Sequence, residues 1–391
     1  MKITQLFKIY WPDNGGGIAK VMESIADAFE GCQQEMIVCQ DDRHKKSAVD
    51  RYKGIQVHRC RQLFECVSTP LSLDFLYKVK RCTSDSDFVI YHFPYPMADF
   101  AVLLGMYSGR LIVWWHCGFE QYKRLAPFYR PLVKHTLKKA DLVLVSSKGN
   151  LKHSALLRKY QGKCRVIPFC VSDECMLRGM AYAAKHSVQK NKITILFIGR
   201  LVWYKGCDVL IKAFARLQAK MQAPDCRLVI VGSGPLEQRL KRLAASLRLK
   251  DVIFAGMVSE EEKMKWLEQC DFLVLPSVSK AEAFAVVQIE AMAFGKPVIN
   301  TRLPSGVPYV SLDGVTGITV SPGSIRELAA AMQKLAEHDC LRKQYGENAR
   351  KRVQKKYTKQ VMAAKYRQLF AQLLKETAYG AGKSKNEKKE Q

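Results

Sequence analysis

Two cations and two acids, placed where apolar runs end, hold the most chemistry in this chain. The run Ile193–Ile198 is followed by Gly199-Arg200-Leu201-Val202-Trp203-Tyr204-Lys205-Gly206. Arg200 offers a two-pronged donor and Lys205 a point charge, a combination suited to a diphosphate. The run Phe272–Leu275 is followed by a turn, Pro276–Ala281, and then by an apolar stretch from about Phe284 to Phe294 that Gly295 and Pro297 stop. Helix-stop chemistry of that kind reads as strand, helix, strand. It sets Glu282 at the mouth of the helix and Glu290 about two turns on, roughly 12 Å away at 1.5 Å per residue. Ligands of open α/β sheets collect at such strand ends, with phosphates at helix N-termini. A carboxylate there suits sugar hydroxyls rather than phosphate. On spacing alone, the two glutamates are equally well a dipole partner and a solvated charge.

Other stretches have the same placement. Asn14-Gly15-Gly16-Gly17 stands between the first apolar run and the helical pattern Ile18–Phe29, where glycines let the backbone approach a ligand. A plain tight turn fits it too. Val231-Gly232-Ser233-Gly234-Pro235 closes the next strand pattern, and Ala255-Gly256-Met257-Val258 the one after. Both can offer backbone to a base or ribose. His116 follows Leu111–Trp115, at a strand end, and is either a cleft or a core histidine. Asp85-Ser86-Asp87 has the D-x-D form that holds a metal in some sugar-transferring enzymes, but it precedes a strand at its amino end, so no metal is expected there.

The elements that must position these residues alternate. Strand patterns fall at Ile3–Ile9, Met36–Cys39, Ile55–Arg59, Phe88–Tyr91, Leu111–Trp115, Leu142–Ser146 and Arg165–Ile167. They recur at Ile193–Ile198, Leu228–Val231, Val252–Ala255, Phe272–Leu275, Val298–Ile299 and Gly317–Val320. With helical patterns between them, this is an α/β chain with mostly parallel sheets. Its 391 residues are too many for one core. The expected organisation is 1–189 and 190–358 as two Rossmann-like domains, a C-terminal helix over 359–377, and a basic disordered tail over 378–391.

The net charge is +27, which favours acidic partners. Thirteen cysteines without C-x-x-C pairing read as free thiols, and no signal peptide is expected ahead of a strand that starts at Ile3. Phe100–Phe119 is near membrane-spanning length, but Gly105, Gly109, Arg110 and His116 interrupt it. Tyr122–Lys139 carries Lys123, Arg124, Arg130, Lys134, Lys138 and Lys139, no acid, and aromatic residues between them. Such a segment suits an anionic membrane surface as well as an ordinary basic helix face. No module that reads nucleic acid is visible.

Taken together and in order, Gly15–Gly17, Gly199-Arg200 with Lys205-Gly206, Val231–Pro235, Glu282 with Glu290, and Asp313–Gly317 resemble the large retaining glycosyltransferase family of GT-B fold often called family 4. The resemblance implies two Rossmann-like, doubly wound domains facing across a cleft, with the final helix crossing back to the first. It implies Arg200 and Lys205 on the diphosphate leaving group, Glu282 on the donor sugar and Glu290 on the ribose. Gly16 and Gly17 close on the phosphates, and Gly232, Gly234 and Val258 line the donor pocket. Backbone near Phe284 and Ala285 completes it, and His116 stabilises the transition state at the sugar. Ala285 stands where the family often has glycine, and Tyr309 where many members carry glutamate.

Phrases such as SKAEAFAVVQIEAM resemble bacterial enzymes of O-antigen and other surface polysaccharides, which implies GDP-mannose as donor and a lipid-linked saccharide as acceptor. The implied enzyme is a hexosyltransferase without metal or cofactor, peripheral on the cytoplasmic face of the inner membrane. A UDP-sugar donor, a nucleotide-sugar epimerase and a non-catalytic membrane-binding relative are the alternatives. An oxidoreductase is disfavoured by the missing G-x-G-x-x-G.

Overall fold

Runs such as FVIYHF and ITILFI are apolar at nearly every position, which suits strands covered on both faces. The computed structural model describes residues 1–12, 17–66, 69–119, 126–184, 192–219 and 225–387. It divides into two units. One comprises Met1–Val145, Tyr160–Ile167 and the chain from Lys359 on; the other comprises Ser146–Lys159 and Pro168–Thr358.

The first unit holds β1 (Lys2–Leu6), β2 (Gln33–Cys39), β3 (Ala48–Tyr52), β4 (Ile55–Cys60), β5 (Phe64–Cys66), β6 (Thr69–Leu71), β7 (Phe88–Phe93), β8 (Arg110–Trp115), β9 (Leu142–Val145) and β10 (Cys164–Val166). Its main sheet runs β10-β9-β8-β7-β1-β2-β4-β3. Every pair in it is parallel except β3 with β4. Asp85-Ser86-Asp87 fastens β1 beside β7. The Lys2 backbone N–H donates to Asp87 at 2.7 Å, Lys2 Nζ reaches Asp85 at 2.6 Å, and the hydroxyls of Thr4 and Ser86 are 2.8 Å apart. These aspartates are anchors for a strand edge.

The helix Lys359–Glu387 also belongs to this unit, and it continues into the stretch expected to be a disordered tail. Its apolar stripe packs Phe370 against Phe29 at 4.7 Å and Phe88 at 4.5 Å. Tyr366 accepts a hydrogen bond from Trp114 Nε1 at 2.6 Å.

The second unit holds β11 (Ile193–Ile198), β12 (Cys226–Val231), β13 (Val252–Gly256), β14 (Phe272–Val274), β15 (Val298–Thr301) and β16 (Gly317–Val320). The order is β13-β12-β11-β14-β15-β16, all parallel. Chain direction across the sheet reverses between β11 and β14, the crevice where doubly wound sheets bind ligands. The boundary expected near Lys190 moves to Pro168. Val171 and Cys175 are buried with Ile289 and Met292, and a side chain at Gly179 would strike the Ala293 carbonyl at 2.5 Å. Residues 146–159 also leave the first domain for the second unit, where Gly149 lies on Ser305 and the ring of Tyr309. Thirteen free thiols are present, and no helix among the described residues is long and apolar enough to cross a membrane.

Candidate active site

At the reversal point of the second sheet, β11 and β14 each end in a loop, and glycine presses the two loops together. Gly206 has φ 67°, and a Cβ there would lie 2.1 Å from the Pro276 carbonyl oxygen. Only glycine combines that conformation with that approach. The short helical turn Trp203–Lys205 precedes it. Lys205 Nζ stands 2.6 Å from Glu282 Oε2, and Ser277 Oγ donates to the same oxygen at 3.1 Å. The lysine and glutamate side chains are 13% and 9% exposed, so the pair is largely shielded from solvent. Arg200 is exposed beyond the end of β11 and makes no ion pair among the described residues. A cation held by a carboxylate, beside an uncommitted guanidinium at a strand-end crevice, can receive a dianionic group.

Glu282 is not part of a helix. The helix is Val286–Ala293, so Glu282 lies in the loop before it and Glu290 about one turn inside. The 12 Å estimate, which assumed one continuous helix, therefore does not apply. The late start has a backbone cause: Ala285 sits at φ 60°, ψ 83°, a left-handed conformation that no periodicity reveals. Its methyl group strains that conformation by roughly 1 kcal/mol. Ala285→Gly is expected to stabilise the protein by up to about 1 kcal/mol, read as a higher denaturant midpoint at unchanged slope. A lower midpoint would show that no strain is relieved.

Glu290 pairs with Lys263 at 2.9 Å, and Lys263 also reaches Glu260 at 2.6 Å. Burial works against the lysine charge, but Glu290 and Glu260 outweigh it and raise its pKa. Phe284 is buried between Phe169 and Tyr357, with centroids at 5.0 and 6.1 Å. Val258 turns its side chain to the core. Gly232 is explained by backbone packing: φ is 127°, a Cβ would meet the Gly199 carbonyl at 2.1 Å, and its N–H donates to Gly256 at 2.7 Å. A Cβ at Gly234 would meet the Leu201 carbonyl at 2.6 Å. Tyr309 gives its carbonyl to Arg352 Nη2 at 2.7 Å.

His116 and Gly17 belong to the first unit. Gly17 opens the helix Gly17–Ala28, and Gly16 lies outside the described residues. His116 follows β8 and is buried. Its Nε2 is 2.9 Å from His92 Nδ1, and His92 Nε2 is 2.9 Å from Gln5 Oε1. Burial pushes both imidazoles well below the usual histidine pKa, His92 to about 3. A neutral His116 cannot supply charge to a transition state. Of the basic segment, Lys123 and Arg124 lie outside the described residues; Arg130, Lys134, Lys138 and Lys139 are exposed on the helix Ala126–Lys139. Ser277, Lys263, Gln5 and His92 escaped the sequence reading. His92 did leave a signal, because it is a polar residue inside a strand that is otherwise apolar and buried; Gln5 did not, because its strand also holds Lys2 and Thr4.

The family model for glycosyl transferases group 1 matches residues 181–352. The chain is 31% identical to O-antigen chain mannosyltransferase C of Escherichia coli, over 96% of this chain and 99% of that protein. It is 30% identical to D-rhamnosyltransferase WbpZ of Pseudomonas aeruginosa, over 95% of this chain and 92% of that protein. Among solved structures, the sucrose-phosphate synthase of Thermosynechococcus elongatus superposes with TM-score 0.76 at 21% identity, covering 95% of this chain and 99% of that one.

Proposed function

The chain belongs to the group 1 glycosyltransferases of GT-B fold, which use nucleotide-sugar donors, and from that premise we propose that it transfers mannose from GDP-mannose, with retention, to a lipid-linked saccharide of a bacterial surface polysaccharide. The observation that carries the reading is the Lys205–Glu282 pair at the β11/β14 crevice. Arg200 and Lys205 take the charge that grows on the departing diphosphate, and such preorganised cations are effective in a site shielded from water. Glu282, with Lys205 drawn toward phosphate, accepts hydrogen bonds from hydroxyls of the sugar. Glu290 accepts from the ribose while Lys263 balances its charge.

The C1–O bond to the diphosphate breaks through an oxocarbenium-like state. The acceptor oxygen bonds to C1 on the same face, and its proton passes to the leaving phosphate. Neither a protein nucleophile nor a metal is needed for that balance. Mannose is favoured because two relatives that match nearly end to end are named for mannose and for D-rhamnose, its 6-deoxy form. Contact with an anionic membrane is supported by Arg130, Lys134 and Lys138, spaced by four on one helix face, with Phe128 83% exposed on the same helix.

A thermal-shift panel of GDP- and UDP-sugars tests the donor. At a hundredfold excess over Kd the native state gains about 2.7 kcal/mol, and GDP-mannose is expected to give the largest rise in Tm. Silence across the panel would overturn the reading. NMR of the product should show the donor's anomeric configuration preserved, and inversion would remove the same-face step. Phosphatidylglycerol vesicles should sediment the protein and phosphatidylcholine vesicles should not; equal behaviour would discard the membrane contact.

A further inference from the structure

Beside the helix Gly17–Ala28 of the first unit lies a hollow of about 310 Å³ whose wall includes Tyr10, Glu23, Asp27, Glu30, Gln34 and Lys53. Gln34 stands near the start of β2, and Ile55, also on the wall, opens β4. The hollow therefore adjoins the amino ends of those strands, whereas a doubly wound sheet meets its usual ligand at the carboxyl ends. Two buried polar atoms of the wall have no hydrogen-bond partner: the Tyr10 hydroxyl and Gln34 Oε1. Folded proteins rarely leave such atoms unpaired. Tyr10 is fully buried, and burial, then Glu23 and Asp27, hold its pKa well above the usual tyrosine value, so the hydroxyl stays neutral. Gln34 spends its amide hydrogens on the carbonyls of Ala26 at 2.9 Å and Phe29 at 3.0 Å, which leaves Oε1 a bare acceptor. The surrounding charge is acidic in a chain of net charge +27. Glu23 pairs with Lys53 and Asp27 with Lys359, while Glu30 is exposed and pairs with no cation among the described residues. Both lysines reach solvent, and such pairs hold weakly, so an incoming cation can displace them and part the mouth of the hollow.

Carboxylates, an amide oxygen and a hydroxyl oxygen all accept, so the complementary ligand is cationic and rich in N–H donors. Its charge is spread out. Glu23 and Asp27 lie about 6 Å apart along the helix axis, and Glu30 follows in the next turn. These acids do not gather closely enough for a single metal ion; among the described residues only Glu35, His58 and Cys82 do. We propose that the hollow binds a linear polyamine. Ammonium groups spaced by a few methylenes pair with Glu23, Asp27 and Glu30, and one of them also donates to Gln34 Oε1 and the Tyr10 hydroxyl oxygen. Ala26 and Ile55 supply apolar wall for the methylenes between.

Spermidine is the probe, titrated by calorimetry into the full chain at physiological ionic strength. No sugar nucleotide is present, so the outcome does not depend on the transferase reading. Wild type should bind a single spermidine, and magnesium chloride at matched ionic strength should leave Kd within about threefold. Glu30→Gln should weaken binding by about tenfold and Glu30→Lys should abolish it. Glu347→Gln, which neutralises an exposed acid of the second unit, should leave it unchanged. Tyr10→Phe should also weaken binding by about tenfold, yet its ligand-free Tm should be no lower than that of wild type, because the hydroxyl has no bond to lose. No binding of spermidine, its displacement by magnesium, equal losses in Glu30→Gln and Glu347→Gln, or a wild-type Kd in Tyr10→Phe would each overturn the proposal. Should Tyr10→Phe fail to fold, the exposed positions Glu30 and Glu347 still decide.

Discussion

Lys205→Ala is expected to lower turnover by roughly 10²- to 10³-fold, the usual loss when one preorganised donor to a developing anion is removed. The same change also touches stability. Lys205 Nζ is 2.6 Å from a glutamate that is 9% exposed, and its removal leaves Glu282 with Ser277 and an uncompensated charge. Removing one partner of a buried pair costs about 3–5 kcal/mol, and the partial exposure here reduces that. Activity and stability therefore fall together in the single variant, and a second substitution separates them. Adding Glu282→Gln to Lys205→Ala removes the stranded charge and should restore most of the lost Tm. Turnover should stay low, because the diphosphate still lacks its cation. Product formation and Tm, measured on all three variants and wild type, decide. Wild-type turnover in Lys205→Ala, or turnover that returns along with Tm in the double variant, would take Lys205 out of the chemistry.

The fold was legible wherever burial acts on both faces of a strand. LIVWW, LVLV and ITILFI read as strands because a covered parallel sheet favours near-continuous apolar runs. AVDRY did not, since β3 is an exposed antiparallel edge with no apolar face to mark it. Strand ends in turn made Arg200, Lys205 and Glu282 legible as neighbours of one crevice. What stayed hidden was set by backbone angles and distant packing. Periodicity carries the helix back to Phe284, and only the left-handed Ala285 shows why it begins at Val286. The salt bridge of Glu290 with Lys263 joins two helices that no local pattern relates. Likewise, residues 168–184 are expected with the first domain, yet Gly179 seats the helix Asp173–Ala184 on Ala293 of the second unit.

Asp99 should make stability depend on pH in the acidic to neutral range. The helix Pro96–Leu103 turns it inward in its first turn, fully buried. Tyr91 Oη donates to Oδ2 at 2.6 Å, Thr136 Oγ1 to Oδ1 at 2.6 Å, and the Tyr129 hydroxyl also to Oδ2. Burial pushes its pKa up, and the three hydroxyls, which favour the anion, only partly oppose it; the carboxyl ends at about 6 against an ordinary 3.8. Between those values the folded state holds a proton that the unfolded chain has released. Stability from this group is thus fully present below about pH 4 and is lost as pH rises through about 6, by roughly 3 kcal/mol in all. Asp99→Asn cannot ionise, so the stability difference between it and wild type should change by that amount from pH 4 to 7.5. Comparing the two at each pH cancels every other titrating group. Asp99→Leu is harsher, because it removes the carboxylate that accepts from three hydroxyls, at about 1–3 kcal/mol for a buried hydroxyl left unpaired, although Tyr91 Oη keeps its bonds to the Tyr95 backbone. Denaturant midpoints across the pH range test both variants, and a wild-type-minus-Asn difference that stays flat would mean Asp99 keeps its proton affinity unchanged on folding.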